Sequence, residues 1–457
     1  MKRFTKKTLP GAVALALLAG AGAANADVYV QCANDFNNNG IPPTDLYGNE
    51  LDREDLNNPD YDPSVKCMHL TAGDGFMNGS DGHPMYTFGF ADKTSSPPDQ
   101  VIGDGILAAR WPGSTIELDE GDELYLSLTN VGTVMRPDLF DPHTVHFHGF
   151  PNAATVFDGV PEVSISINMG GTLTYYYNIV EPGTFIYHCH VEATEHMEMG
   201  MLANLYVHPR QDRLGIGGDV GPDGIIGTAD DKVDFATAAL RFDGTGPTGY
   251  AYNDGDGTTG FDVEAPLQVA AFDSDFHDAH IAVQPLPFAA LEGNYPQING
   301  RGYPDTIKDP AVPNQDPATL NMGPPTDDGF LGDAGAVLNN GEVSQDMGAA
   351  VSVTAGDTLL LRLSNVSIDR FYTLTIPGLT MTIVGTGAKL MRSVDGTKNL
   401  YQETASVNFG GGETHDVLVD IPADATGKTF FLHTTELHQM GNKTQLDGGM
   451  ITEIAVN

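Results

Sequence analysis

The chain of 457 residues is strongly acidic, with 61 Asp and Glu against 22 Lys and Arg and a formal net charge of −39. A negative potential of that size repels phosphate groups, which argues against binding to nucleic acids and to anionic lipid surfaces. Hydrophobic residues make up 40% of the chain, which is enough for packed cores and excludes wholesale disorder. The 54 glycines and 29 prolines disfavour long helices, so we expect an all-β protein of more than one domain.

The first 26 residues have the features of a secretory signal peptide. Four basic residues precede a short apolar run at 11–24, and Ala24-Asn25-Ala26 has the small-x-small pattern of a cleavage site. No later apolar run is long enough to span a bilayer. We therefore expect an exported protein, in the periplasm or outside the cell, without a membrane span.

Export changes how the three cysteines are interpreted. Cys32 and Cys67 lie near the expected mature N-terminus and could form a disulfide in an oxidising compartment. Cys189 is far away in the sequence and is left as an odd cysteine. It stands between two histidines, which suggests a chemical role for its thiol.

Two acidic segments have the residue spacing of calcium-binding loops. The first is 219–224, followed by Asp230, and the second, looser case is 35–40 with Asp45. Calcium is therefore an expected second ion. The alternative for both segments is a plain acidic turn.

The two halves of the chain contain an internal sequence repeat. Residues 121–131 alternate apolar and polar side chains after a Gly-Asp pair, and 356–366 repeat them nearly letter for letter. Residues 427–435 repeat the pattern of residues 183–190 in the same way. We expect an internal duplication of a β-sandwich. The predicted organisation is a signal peptide at 1–26, an N-terminal extension at 27–84, a first domain at 85–210, a Gly- and Asp-rich linker or insert at 211–260 and a second domain at 261–457.

Six of the 14 histidines fall within one short part of the first domain: His143, His146, His148, His188, His190 and His196. His146 and His148 alternate along a predicted strand, which places both imidazoles on one face. His188 and His190 repeat this geometry on another strand. Cys189, between them, must point to the opposite face.

A thiolate with two imidazoles and a weak thioether is the ligand set of a blue copper site. His196 and Met201 follow Cys189 on the same loop, and His143 can complete the trigonal plane. The sequence neighbours of Cys189 would then hold copper on the other face. An electron could pass between the two sites through a few covalent bonds, so Cys189, His188 and His190 are the expected catalytic residues.

The sequence resembles the multicopper oxidases, which are built of cupredoxin domains. The matching segments are 112–116, 121–122, 143–149, 188–201 and 298–301 with Tyr303-Pro304. This resemblance implies two tandem cupredoxin-like Greek-key β-sandwiches, and a reaction that couples one-electron oxidation of a donor to reduction of dioxygen. It implies type 1 copper at His143, Cys189, His196 and Met201. It implies a type 2/type 3 copper cluster at His146, His148, His188 and His190.

The chain departs from the family pattern in two places. Five residues, 191–195, separate His190 from His196, where the family usually has three. The second domain has also lost its cluster ligands, with Thr434 at the position of Cys189 and only His433 retained at a pair position. Residues Tyr372, Thr375 and Pro377 stand where His143, His146 and His148 would be expected. His438 lies near His433, whereas His277, His280 and His415 belong to no motif.

Three functions remain open on the sequence. The first is a multicopper oxidase whose cluster is completed by another subunit, either across a two-fold axis or by His433 of a neighbour in a ring. The second is a copper nitrite reductase-like enzyme whose type 2 site borrows His433 or His438 from a neighbouring chain, although His146 and His190 count against it. The third is a non-enzymatic copper-binding or electron-transfer protein. A homo-oligomer is expected for the first two, and the donor could be a phenol, Mn(II), Fe(II) or Cu(I).

Overall fold

A computed structural model describes residues 28, 30–151, 153–214, 246–308 and 343–457. The predicted signal peptide and the predicted calcium loop at 219–230 lie outside these ranges. The described chain is dominated by strands, as the composition predicts, and the predicted all-β cupredoxin-like fold is confirmed.

The first sandwich consists of two four-stranded sheets. Its strands are β1 (Val65–Asn78), β2 (Pro84–Asp92), β3 (Gly113–Asp119), β4 (Glu123–Gly132), β5 (His146–His148), β6 (Thr172–Asn178), β7 (Gly183–His188) and β8 (Leu202–His208). One sheet has the order β2-β1-β4-β6 and the other the order β3-β8-β7-β5. Alternate side chains of β4, including Leu124, Leu126 and Leu128, are buried in the core between the sheets. Strand β1 precedes residue 85, so part of the expected N-terminal extension belongs to the sheet of this sandwich.

The second sandwich has a larger and a smaller sheet, with a separate short hairpin before it. The hairpin strands are β9 (Gly249–Tyr250) and β10 (Gly260–Phe261). The sandwich strands are β11 (Val263–Phe272), β12 (Tyr295–Ile298), β13 (Val351–Val353), β14 (Thr358–Asn365), β15 (Tyr372–Thr375), β16 (Met381–Thr386), β17 (Lys389–Leu390), β18 (Gln402–Thr404), β19 (Ser406–Phe409), β20 (Thr414–Asp420), β21 (Thr429–Thr434) and β22 (Ile451–Val456). The larger sheet has the order β12-β11-β14-β20-β16-β17, with β18 paired to β16, and the smaller one β13-β22-β21-β15-β19.

The two sandwiches have the same strand pairing, which matches the sequence repeat. In the first, β4 is parallel to β1 and antiparallel to β6, and in the second β14 is parallel to β11 and antiparallel to β20. The turns that enter β4 and β14 also match. Gly121 and Gly356 have φ of 101° and 98°, a region that glycine adopts without steric cost. The aspartate after each glycine accepts a hydrogen bond from the backbone three residues earlier.

Helices are short and lie at the edges of the sandwiches. They are α1 (Arg53–Leu56), α2 (Val101–Gly105), α3 (Ala193–Glu198), α4 (Gln211–Leu214) and α5 (Ser274–Ile281). Single 3₁₀ turns occupy Thr155–Phe157, Phe288–Ala290, Asp305–Ile307 and Leu437–Met440. Within the described ranges, every helix is too short or too polar to serve as a membrane-spanning segment.

Two sets of contacts hold the parts of the chain together. The extension is attached to β1 by a disulfide between Cys32 and Cys67, and this predicted pairing is confirmed. The sandwiches meet where β7 packs on β20. There Thr184 Oγ1 donates to Asp416 Oδ1 at 2.5 Å, and Thr414 Oγ1 donates to the Thr184 carbonyl oxygen at 2.7 Å. The buried Arg362 guanidinium also reaches Asp416. These contacts fix the second sandwich against the strand that leads to Cys189.

Candidate metal centre

Strands β5 and β7 place the histidines and the cysteine on opposite faces. The two strands are antiparallel, with His146 opposite His188 and Phe147 opposite Tyr187. Phe147 and Tyr187 point into the core of the first sandwich, so their histidine neighbours point away from it. Cys189 follows β7 and returns to the core side, where it is fully buried.

On the core side, three metal-binding atoms converge. Cys189 Sγ lies 3.3 Å from His196 Nδ1 and 3.9 Å from His143 Nδ1, and the three atoms are all within 4.8 Å of one another. The Thr144 backbone N–H donates to the same sulfur at 3.5 Å. One thiol and two imidazole nitrogens in a buried pocket form a donor set suited to copper.

The longer loop after His190 folds into helix α3, which carries His196 back to the cysteine. Glu192 enters the helix with φ of 44°, and the His196 N–H donates to the Glu192 carbonyl oxygen at 3.0 Å. The Met201 N–H donates to the His196 carbonyl oxygen, and the Cys189 N–H donates to the Met201 carbonyl oxygen. Met201 is fully buried in the same core. The loop length that departs from the family pattern therefore still brings His196 and Met201 back beside Cys189.

The electrostatics of this pocket favour the thiolate. Burial alone would raise the pKa of the Cys189 thiol, but the charges and hydrogen bonds of His196 and His143 hold it well below its usual range. Burial alone would lower the pKa of His196, but the Cys189 thiolate and the Asp141 carboxylate raise it to about 10. The thiolate is the form of cysteine that binds metal ions.

On the opposite face, four imidazoles surround one cavity. The ring centroid of His146 lies 5.2 Å from that of His188 and 5.1 Å from that of His190. The His146 Nδ1–H donates to the Asp158 carbonyl oxygen at 2.5 Å, and the His188 Nδ1–H donates to the Cys189 carbonyl oxygen at 2.9 Å. These bonds place the proton of each ring on Nδ1, so the lone pair is on Nε2, the atom that would bind a metal ion. His188 Nε2 also lies 3.4 Å from His148 Nδ1.

Burial favours the neutral form of three of these histidines. It lowers the pKa of His188 to about 3, and it also lowers the pKa of His146 and His148. Neutral imidazole is the form that binds metal ions. Nitrogens of these three rings all lie within 4.8 Å of one another, and His190 lies beside them on the same cavity wall. The arrangement fits a copper site with more than one histidine ligand.

The far wall of this cavity comes from the second sandwich. The cavity has a volume of about 520 Å³, and its far wall is formed by residues 367–371 and 410–413, including Arg370 and Glu413. A Cβ placed on Gly412 would lie 3.0 Å from His148 Nε2, so the backbone approaches this ring very closely. No sequence motif indicates this wall, and the run of three glycines at 410–412 is the one feature of the sequence that marks it.

His433 has the geometry of His188 but faces elsewhere. Thr375 pairs with His433 as His146 pairs with His188, which agrees with the alignment of the repeats. The His433 Nδ1–H donates to the Thr434 carbonyl oxygen at 2.8 Å, as in His188. It borders a separate, largely apolar cavity of about 400 Å³. Among the described residues that line the first cavity, none is a histidine of the second sandwich.

The remaining histidines of the second half have structural contacts. His280 Nε2 lies 2.9 Å from Glu195 Oε1 and therefore links α5 to α3, the helix that carries His196. The His277 Nδ1–H donates to the Tyr86 carbonyl oxygen at 2.6 Å. His438 is exposed, near Glu436, and His415 packs on Phe409. Helix α5 therefore buttresses the cysteine-side pocket, a role that no sequence motif indicates.

Comparison with known proteins agrees with this combination of a duplicated cupredoxin-like sandwich and a Cys/His metal centre. Two multicopper oxidase family models match residues 94–212 and 301–457, together more than half of the chain. The chain belongs to the multicopper oxidase family.

Individual relatives are distant. Multicopper oxidase MmcO of Mycobacterium tuberculosis is 36% identical over 80 residues, which are 18% of this chain and 14% of that protein. Copper resistance protein A of Pseudomonas syringae is 23% identical over 319 residues, which are 69% of this chain and 42% of that protein. The chain thus spans less than half the length of these curated relatives. The crystal structure of a blue copper oxidase from Nitrosomonas europaea shares the fold, with a TM-score of 0.55, 19% identity and 85% of each chain covered.

Proposed function

We propose that the chain is an exported copper oxidoreductase that takes single electrons from a reducing donor and passes them to dioxygen. Type 1 copper would be held by His143, Cys189, His196 and Met201, and the dioxygen-reducing copper by His146, His148, His188 and His190. Copper at these sites would supply the one-electron chemistry and the binding of dioxygen.

The observation that carries this proposal is the alternation at 188–190. One buried thiolate and two imidazoles occupy consecutive positions, and their side chains face opposite sides of one chain segment. The peptide bonds of Cys189 therefore form a direct covalent path between the two groups of ligands. The four histidines of the cavity are the feature that a simple electron carrier would not need.

We also propose that the active form is a homo-oligomer. The described wall opposite the four histidines carries Arg370 and Glu413 instead of further histidines, so a single chain offers half of the cluster ligands typical of the family. Either two histidine faces meet across a two-fold axis, or His433 of one chain reaches the histidine face of the next. The fixed Nδ1 of His433 and the exposed apolar side chain of Phe431, which borders the same cavity, favour the ring.

Copper counting combined with electron paramagnetic resonance and sedimentation tests this function. An oxidase requires type 1 copper together with type 2 copper or a coupled pair, in an oligomer that consumes dioxygen. A monomer with one blue copper per chain and no dioxygen consumption would instead identify an electron-transfer protein. Mass spectrometry of the exported protein, with a start at Asp27, would test the proposed signal peptide.

A further inference from the structure

The ring of His196 has one nitrogen at the cysteine-side pocket and the other beside a buried carboxylate oxygen. Its Nδ1 lies 3.3 Å from Cys189 Sγ, whereas its Nε2 lies 3.9 Å from Asp141 Oδ2. The ring is fully buried and packs edge-on against Phe88, with ring centroids 5.7 Å apart. The Nε2 atom therefore has no access to bulk water and needs a partner within the protein.

The two atoms that face each other at this place lack any other partner. Neither His196 Nε2 nor Asp141 Oδ2 has a hydrogen-bond partner among the described residues, and both atoms are buried. A buried donor or acceptor that stays unpaired is unfavourable, and a charged carboxylate is the more costly case. A water molecule in line between the two atoms would need about 5.6 Å, since each hydrogen bond is about 2.8 Å long. The separation of 3.9 Å is too short for such a bridge, so a direct hydrogen bond satisfies both atoms.

The fold holds the backbone of Asp141 beside this ring. The side-chain amide of Asn130, near the end of β4, donates to the Asp141 carbonyl oxygen at 2.9 Å and to the Ile167 carbonyl oxygen at 2.8 Å. Ile167 in turn pairs with His143 through two backbone hydrogen bonds of 3.0 and 2.9 Å. The loop that carries Asp141 is thus tied to the segment that carries another residue of the pocket.

The neighbouring acids have other partners. Glu195 Oε1, on the same helix as His196, lies 2.9 Å from His280 Nε2. The Asp138 carboxylate pairs with the guanidinium of Arg136 at 2.8 Å. Among the described residues, the carboxylate in ion-pair contact with His196 is therefore that of Asp141.

We propose that Asp141 is a positioning residue for the cysteine-side pocket, in which its Oδ2 accepts a hydrogen bond from the Nε2–H of His196. This bond keeps a proton on Nε2, so that Nδ1 is the nitrogen that offers a lone pair on the side of Cys189. A carboxylate in this position also makes the ligating nitrogen more basic. This role of Asp141 rests on the proposed function, in which His196 is a ligand of type 1 copper.

Removal of the carboxylate should change metal affinity and reduction potential together. Asp141→Asn should lower the affinity for Cu(II) by roughly 10- to 100-fold, the usual effect of losing such a partner. The affinity for Cu(I), which favours soft ligands, should change less. With Cu(I) binding unchanged, each tenfold loss of Cu(II) affinity raises the reduction potential of the blue copper by about 59 mV.

Two measurements on the full-length chain test the role of Asp141. Redox titration of the copper-loaded protein, followed at the blue absorption band, should give higher potentials for Asp141→Asn and Asp141→Ala than for the wild type. Nuclear magnetic resonance of the metal-free protein with ¹⁵N-labelled histidine provides a readout without copper. The Nε2–H proton of His196, identified by its loss in His196→Gln, should lie downfield in the wild type and move upfield in Asp141→Asn.

Asp138→Asn is the matched control, because it removes one negative charge from the same loop and its carboxylate pairs with Arg136. Its reduction potential and its His196 Nε2–H signal should match those of the wild type. If Asp141→Ala does not fold, as judged by loss of the near-UV circular dichroism signal, the nearly isosteric Asp141→Asn decides the question.

Two kinds of failure can be told apart. The role of Asp141 alone is overturned if the wild type is blue but Asp141→Asn has the same potential as Asp138→Asn, or the same His196 Nε2–H signal. A copper-loaded wild-type protein without a blue band would instead contradict the proposed function, and the role of Asp141 at type 1 copper would fall with it.

Discussion

The two sandwiches share one framework but carry different side chains at its metal-binding end. His146 opposite His188 in the first sandwich corresponds to Thr375 opposite His433 in the second. The buried Cys189 corresponds to the equally buried Thr434. The strands, their register and their turns have therefore persisted without the ligands. In this fold the backbone positions the proposed metal site, but the side chains proposed as ligands are not needed to maintain the backbone.

In the second sandwich, the loops at 367–371 and 410–413 line the cavity in front of the four histidines. Its loops close the cavity of the first sandwich with Arg370, Glu413 and a glycine backbone, and buried hydrogen bonds between Thr184 and Asp416 hold it in place. One copy of the unit carries the proposed metal ligands, and the other copy shapes the space in front of them.

The largest expected effect comes from substitution of Cys189, whose counterpart in the second sandwich is Thr434. Cys189→Ser should abolish the blue absorption of the copper-loaded protein, because that band requires a copper–thiolate bond. Thr434→Ser, the corresponding change in the second sandwich, should leave the colour unchanged. Visible spectra of both variants at matched copper content make the comparison. A blue Cys189→Ser protein would show that the thiolate assignment is wrong.

Substitution of a histidine that lines the cavity should lower the rate of dioxygen consumption without removing the blue absorption band. His190→Ala and His146→Ala should reduce dioxygen consumption by at least about 100-fold while the blue band persists, since second-site ligands are lost and Cys189 is untouched. An oxygen electrode with excess donor measures this.

His433→Ala distinguishes the two proposed assemblies, because it should impair dioxygen consumption in a ring but leave a cluster on a two-fold axis active. The fully exposed Val394→Ala of the same sandwich is the control and should behave as the wild-type protein.

Truncation of equivalent core leucines should lower the free energy of unfolding by similar amounts in the two sandwiches. Leu126 and Leu361 occupy the same place in β4 and β14, and both are fully buried. Leu126→Ala and Leu361→Ala should each lower the free energy of unfolding by about 2–5 kcal/mol. Because buried polar contacts join the sandwiches, we expect one calorimetric transition in both variants, with loss of colour at the same temperature. Two separate transitions, only one of them shifted by Leu361→Ala, would show that the sandwiches unfold independently.

The features that could be predicted from the sequence are those encoded by neighbouring residues. The period-two alternation of 146–148 and 188–190 determines which side chains share a face, and the Gly-Asp repeat marks the duplicated strands. The cavity wall at Arg370 and Glu413 could not be predicted, because it depends on packing between segments some 180 or more positions apart. The short helix α3 could not be predicted for the same reason, because it depends on a three-dimensional path that no local pattern specifies.

The smallest expected effect tests whether the second sandwich shapes the metal site by close approach. Gly412 has φ of +86°, and a Cβ there would lie 3.0 Å from His148 Nε2. Gly427 has φ of +75°, and a Cβ there would contact nothing within 4 Å. Alanine at either position should cost about 1–2 kcal/mol of stability from the left-handed backbone alone. Only Gly412→Ala should also alter the type 2 copper signal in electron paramagnetic resonance, because the new methyl group displaces the His148 ring. Identical copper spectra for Gly412→Ala and Gly427→Ala would mean that the second sandwich covers the cavity without positioning its ligands.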